Sequence, residues 1–296
     1  MSPNAGAQPI EAHRMPAAVT DHPVIVSITS LPSRLARIRP CLESLLGGSR
    51  VPDKILLALS PFSAREHAPY VLPDFLKDDD FCRQIVEVVS TDRDWGPGTK
   101  LLGVLDVIPQ PCYLVLADDD VRYKPDFLRG LVDAQARDHS SSFSYFTHRV
   151  PGLSYGQGVD GFGIWSPNVS GIRSFAEAHV DGTNLFFHDD LWISFFLTAK
   201  KRVPIKSLAH LTDGGTIYES LHHINALHLL EGPLSRGRLD RDGVKRLLRE
   251  VDMPASTRLR MQADALCVGF FRDAREIARL LPRLILRRLR RAVRGH

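Results

Sequence analysis

Cys112-Tyr113-Leu114-Val115-Leu116-Ala117-Asp118-Asp119-Asp120-Val121 runs from an apolar, β-prone segment straight into three consecutive carboxylates. A buried strand that ends in Asp-Asp-Asp crowds like charges within a few ångströms, which is costly unless a cation is present. Oxygen ligands alone suit a hard divalent ion such as Mg²⁺ or Mn²⁺, and such an ion commonly brings a phosphate ligand with it. The plainer reading of the same residues is a turn with solvated acids after a strand.

The segments around this stretch decide between the two. Upstream, Val24 to Thr29 reads as a first strand running into the polar loop Ser30-Leu31-Pro32-Ser33-Arg34. Leu35, Ile38, Cys41, Leu42, Leu45 and Leu46 then fall at helical spacing, stopped by Gly47-Gly48. Lys54 to Leu59 and Ile85 to Val89 read as two more strands, with Asp78-Asp79-Asp80 in the irregular stretch between them. Trp95-Gly96-Pro97-Gly98-Thr99-Lys100 opens a helix through Leu101, Leu102, Leu105 and Val107, and Pro125 opens another through Phe127, Leu128, Leu131 and Val132. Strands alternating with helices predict an α/β fold, a mostly parallel sheet with helices on both faces. Ligands bind such sheets beyond the carboxyl ends of the strands. Three polar clusters fall there: Thr29 to Arg34, Asp92 to Lys100, and Asp118 to Asp120. Further on, glycines 156, 158, 161 and 163 surround Tyr155, Phe162 and Trp165, and His188-Asp189-Asp190 precedes a helix carrying Leu191, Trp192, Phe195 and Phe196.

At 296 residues, with 44% hydrophobic and 24% charged residues, the chain can bury a large core and is not disordered. Residues 1–22, rich in Ala and Pro, read as a disordered lead-in, 23–235 as the main domain and 236–296 as a helical C-terminal extension. The cysteines, Cys41, Cys82, Cys112 and Cys267, lack paired metal spacing, so reduced thiols in a cytoplasmic protein are expected. No early apolar run suits a signal peptide.

The order of these motifs resembles that of GT-A fold nucleotide-sugar glycosyltransferases, and is especially similar to bacterial family-2-like enzymes of capsule and lipopolysaccharide synthesis. The resemblance runs from about Pro23 to Asn225. It rests on Val26 to Arg34, Val51-Pro52-Asp53-Lys54-Ile55, Gly96 to Leu101, the acid triplet and Asp189-Asp190-Leu191-Trp192-Ile193. It implies a Rossmann-like GT-A sheet and metal-dependent transfer of a hexosyl or N-acetylhexosaminyl group. The donor would be a nucleotide-diphosphate sugar, UDP favoured, and the acceptor a hydroxyl of a glycan or lipid-linked glycan, with inversion favoured. The class's Asp-x-Asp corresponds to Asp118 and Asp120: Asp120 would bind Mn²⁺ or Mg²⁺, and Asp118 would reach the metal's shell or the ribose. Asp119 would be a further ribose or outer contact. Thr29, Ser30 and Arg34 match the nucleotide loop, Asp92 or Asp94 would accept from the base, and Lys100 would sit near the diphosphate.

By the same resemblance Asp190 is the base that deprotonates the acceptor, with Asp189 beside it. The two acids also suit capping of a helix that begins at Leu191. His210, His222 or His223 could add a third metal ligand. Gly163 and Trp165 lie where the class meets its acceptor, although Trp165 equally suits a core position.

From Arg279 onward the sequence has seven arginines and no acid, whereas the whole chain carries a formal charge of only +4. Between Glu276 and Arg294 the pattern predicts a basic amphipathic helix, suited to an anionic membrane surface or to packing on the domain. A peripheral position on the inner face of the membrane follows. Nucleic acid is not the expected partner, because the aromatic interleaving of stacking platforms is absent. Two other readings stand beside the transferase. An Asp-x-Asp phosphohydrolase would place its motif on the first strand, with Thr or Val where this chain has Arg122. A GT-A-like scaffold without turnover would not need every one of these acids.

Overall fold

The computed structural model describes residues 21–78, 85–221 and 236–265. Most of the expected lead-in, Asp79, Asp80, Cys82, His222, His223, Cys267 and the basic segment 276–294 lie outside them. In chain order the strands are β1 (Val24–Ile28), β2 (Lys54–Leu59), β3 (Phe62–Ser63), β4 (Ala68–Pro69), β5 (Val86–Ser90), β6 (Tyr113–Leu116) and β7 (Val121–Tyr123). They continue with β8 (Ser142–Ser144), β9 (His148–Val150), β10 (Leu153–Tyr155), β11 (Phe162–Trp165), β12 (Ile205–Ser207) and β13 (Tyr218–Ser220). The helices are α1 (Pro32–Leu35), α2 (Arg39–Leu46), α3 (Phe75–Asp78), α4 (Thr99–Leu102), α5 (Phe127–Arg137), α6 (Ile172–His179), α7 (Asp189–Phe196) and α8 (Arg236–Glu250).

Seven strands form the central sheet in the order β12-β8-β11-β6-β1-β2-β5. β5, β2, β1 and β6 are mutually parallel, β12 is parallel to β8, and β11 runs antiparallel between β6 and β8. The parallel strands are apolar on both faces because both faces are covered. Ile25, Leu56, Ala58, Leu114 and Leu116 point into one core with α4, α6 and α7. Val24, Val26, Ile55, Leu57 and Val115 point into the other with α2 and α5. Val244, Leu247 and Val251 from the α8 region share the first of these cores. No described helix is long and apolar enough to cross a membrane. Cys41 and Cys112 are buried free thiols.

Two helices differ from their expected extent. The run from Leu35 to Leu46 is broken into α1 and α2, with Pro40 in the first turn of the second. Proline has no N–H to give and its ring crowds the preceding turn, so it is accommodated at a helix start and not inside one. The helix after Lys100 stops at Leu102 instead of reaching Val107. Gly103 follows, and a Cβ there would stand 2.7 Å from Thr99 O and 2.5 Å from Thr91 Cγ2. That close approach packs the turn after the helix onto the sheet.

Candidate active site

The parallel register sets the site. β1 and β6 lie side by side with Ser27 opposite Leu116, so the chain leaves both strands at the same edge of the sheet. One exit carries Thr29 and Ser30, the other Asp118 to Asp120. The Gly96 to Lys100 turn, reached from β5, joins them. Its backbone is fixed to the sheet because Ser27 Oγ donates to the Lys100 carbonyl. A single cleft is lined by Thr29, Ser30, Arg34, Asp94, Lys100 and Asp118 to Asp120, together with Asp189 and Asp190.

Within the cleft each acid of the triplet has its own surroundings. Asp118 Oδ1 accepts from Lys100 Nζ at 2.7 Å. Asp119 accepts from Ser30 Oγ at 2.5 Å through one oxygen and from Arg34 Nη1 at 3.0 Å through the other. The same Arg34 nitrogen lies 3.0 Å from Asp120 Oδ2. Arg34 is largely buried, so its chain folds back over the triplet instead of reaching into water. Burial, with Asp118 and Asp119 beside it, pushes the Asp120 carboxyl up to about 7 even though Arg34 pulls the other way. Charge at the triplet is therefore incompletely balanced by the described residues.

Lys100 binds the two halves of the site together. It is 3% exposed and touches both Asp118 and Asp189, the latter at 3.1 Å. Burial would lower its pKa, but Asp118, Asp189 and Asp190 outweigh that and hold it well above the ordinary lysine value. It is a permanent ammonium. α7 begins at Asp189, not Leu191, so both acids occupy its first turn and His188 takes the cap position, without a side-chain capping bond. Asp189 spends its charge on Lys100. Asp190 is anchored differently: its Oδ1 accepts the Gly158 N–H at 3.0 Å.

Gly158 explains the glycine-rich block. A Cβ on it would fall on Asp118 Oδ1 and within 2.6 Å of Lys100 Nζ, so only glycine lets the backbone come between the triplet and Asp190. Tyr123, for which the sequence offers no separate signal, closes the arrangement. Its fully buried hydroxyl accepts from the Asp118 N–H at 2.9 Å and donates to the Gly158 carbonyl at 3.1 Å.

Other candidate residues lie elsewhere. Asp92 is exposed and does not line the cleft, whereas Asp94 lines it and accepts from the Ala64 and Gly96 N–H groups at 2.6 Å each. Gly163 and Trp165 are carried away from the site by the antiparallel direction of β11. Phe162 pairs with Leu116 near the triplet, but Trp165 pairs with Tyr113 at the other end of β6, roughly 10 Å along the strand. There Trp165 stacks on His139, ring centroids 3.9 Å apart. Gly163 faces Gln135 of α5 inside the core. His210 is exposed in a short 3₁₀ turn and does not line the cleft. The described chain before His222 ends at Leu221, whose N–H donates to the Asp120 carbonyl at 3.0 Å.

Among the described residues no three His, Cys, Asp or Glu side chains converge as a complete ligand cage. The donor set nevertheless fits a hard cation that keeps most of its ligands for water and phosphate, since such ions take only one or two protein carboxylates. Asp120, with its raised carboxyl and incomplete counter-charge, is the oxygen donor best placed to hold one, with Asp118 adjacent.

No protein-family model and no curated protein matches the chain. Solved structures do. A mannosyltransferase from Pyrobaculum calidifontis, solved with GDP-Man and Mn²⁺, superposes with a TM-score of 0.52 at 14% identity, over 83% of this chain and 70% of that one. S. aureus TarS, residues 1–349, gives 0.48 at 13% identity over 82% and 70%, too distant to add weight. With the seven-stranded, mostly parallel sheet, the first of these shows that the chain has the GT-A type of α/β fold.

Proposed function

We propose that the chain is a metal-dependent glycosyltransferase that moves a sugar from a nucleotide-diphosphate donor to a hydroxyl of a glycan or lipid-linked acceptor, with inversion. The observation that carries this reading is the meeting, in one cleft at the strand ends, of an under-compensated acid triplet, a buried lysine and a second acid pair. The Pyrobaculum structure carries GDP-Man with Mn²⁺ in the same kind of fold, which supports the donor class and the cation. UDP remains the favoured nucleotide from the resemblance, and a guanine donor belongs in the same screen.

In this mechanism Asp120, with Asp118, would hold Mn²⁺ or Mg²⁺, which would supply positive charge against the departing diphosphate. Lys100 holds Asp118 and Asp189 in place and adds a fixed positive charge beside the leaving group. Asp190 accepts the acceptor's hydroxyl proton as that oxygen bonds to the anomeric carbon. The bond from that carbon to the phosphate oxygen breaks, and the nucleoside diphosphate leaves with the electron pair. The Gly158 N–H keeps one Asp190 oxygen pointed, and burial of the side chain excludes competing water.

Asp190→Asn preserves the acceptor for the Gly158 N–H but removes the base. Transfer should fall about 10²–10⁴-fold while donor binding stays within a few-fold. Release of nucleoside diphosphate and calorimetry of the donor, run in parallel, check this; equal loss of both would remove Asp190 from the base's role. The segment 276–294 is proposed to bring the enzyme to an anionic membrane holding its acceptor. Deletion from Arg279 onward should release the protein from vesicles of anionic lipid, and unchanged binding would refute that part.

A further inference from the structure

Three cationic side chains line the cleft among the described residues: Arg34, Lys100 and Arg65. Two are committed. Arg34 is held by Asp119 and Asp120, and Lys100 by Asp118 and Asp189. Arg65 is half-buried and, among the described residues, has neither a hydrogen bond nor an ion pair; Glu66, Asp119 and Asp120 act on it only at longer range. Burial and the neighbouring Arg34 both work against its charge. A guanidinium kept charged in such a place is poorly solvated, and an oxyanion is the ligand that matches its planar fork.

The chain does not leave Arg65 there by neglect. It sits in the turn of the β3–β4 hairpin, whose register pairs Ser63 with Ala68. Four hydrogen bonds fasten that hairpin to the walls of the cleft. Glu66 accepts from the Ser33 N–H at 2.9 Å and from Ser33 Oγ at 2.6 Å. Tyr70 Oη donates to the Ser30 carbonyl at 2.8 Å, and the Ala64 N–H donates to Asp94 at 2.6 Å. His67 closes the turn with φ of +51°, a left-handed conformation that costs a non-glycine residue energy. Glu66, the acid next in sequence, is held on Ser33 and so supports the Arg65 charge from a distance without forming an ion pair with it. A clamped turn thus holds an unpaired cation over the edge of the cleft shared by Arg34 and the acid triplet.

We propose that Arg65 is an oxyanion-binding residue of this cleft, reading a phosphoryl group of the donor or a carboxylate on its sugar. The assignment rests on the nucleotide-sugar reading for the ligand's identity but not for the existence of the anion subsite. The cleft charges that act on Arg65 are those of Arg34, Asp119 and Asp120, which the proposed reading assigns to the donor, so Arg65 would meet the donor rather than the acceptor.

The test compares wild type with Arg65→Met and Arg65→Lys. The probes are inorganic pyrophosphate without metal, UDP and GDP with Mn²⁺, and a UDP-uronic acid beside the matching UDP-hexose. Calorimetry should show about a 10–100-fold weaker affinity for pyrophosphate and the nucleoside diphosphates in Arg65→Met. Arg65→Lys should restore part of the loss. A loss confined to the uronic acid donor would assign the subsite to the sugar carboxylate. Apo melting temperature should stay level or rise in Arg65→Met, because no native bond is removed; a marked fall would indicate a structural role. Affinities within twofold of wild type for every probe would overturn the proposal while leaving the transferase reading intact. Pyrophosphate binding that depends on Arg65, with no nucleotide binding by wild type, would uphold the subsite and refute the transferase. Wild-type protein that binds none of the probes would overturn both.

Discussion

Asp120→Ala is expected to abolish metal-dependent release of nucleoside diphosphate while leaving the apo protein at least as stable as wild type. The two halves of that result come from one fact. Burial and two neighbouring aspartates hold the Asp120 carboxyl at about 7, against an ordinary value near 4. In the folded protein it keeps its proton over a pH range where the unfolded chain has already lost it. The folded state therefore binds more protons between about pH 4 and 7, and stability falls as pH rises through that window. Above it the penalty is complete, on the order of a few kcal/mol for a side chain that is 18% exposed. Alanine removes the penalty but also gives up the contact with Arg34, which still has Asp119. Thermal melts from pH 4 to 8 should show a flatter pH dependence in the variant, and turnover should drop at least about 10³-fold, the scale of losing electrostatic stabilisation of the leaving group. A variant that loses several kcal/mol of stability at pH 8 would mark Asp120 as a structural acid instead.

Lys100→Met should be the most destabilising single change in the cleft. The methionine matches the stem in size, so the packing cost is small and the effect is electrostatic. Removing the ammonium strands Asp118 and Asp189 without their partner, and breaking a buried pair in this way costs about 3–5 kcal/mol. For a domain of this size that is roughly a 6–20 °C lower melting temperature at pH 7. The loss should shrink as pH falls, because the orphaned carboxylates then take up protons that the folded variant binds more tightly than its unfolded chain. Urea unfolding of wild type and variant at pH 5 and pH 8 measures this directly. An equal loss at both pH values would point to a packing effect and away from the ion pairs.

The parallel half of the sheet was legible because burial on both faces leaves continuous apolar runs. Val24 to Ile28, Lys54 to Leu59 and Tyr113 to Leu116 stand out against any helical spacing. The acid triplet was legible for the opposite reason: charge set against a buried apolar strand is an anomaly that needs a partner, whereas Lys100, Asp189 and Asp190 entered through the resemblance. What stayed hidden depended on direction and on contacts without period. Nothing in Phe162-Gly163-Ile164-Trp165 says that the strand runs backwards, yet that direction decides that Gly158, and not Trp165, reaches the triplet. Reading Asp189 as a cap failed to anticipate its ion pair with Lys100, because the two are far apart in sequence. Ser33 with Glu66 and Tyr123 with Asp118 are isolated polar contacts, invisible to any pattern of hydrophobic spacing. Arg65 belongs with them: its significance is that no described residue pairs with it by hydrogen bond or ion pair, and only the folded chain shows that.

The most direct measurement is calorimetric titration of the wild-type protein with UDP, GDP and their sugars, with and without Mn²⁺. Binding of a nucleoside diphosphate that requires Mn²⁺ and vanishes in Asp120→Ala is the predicted result. Absence of binding in the presence of Mn²⁺, or binding indifferent both to the ion and to Asp120, would contradict the account.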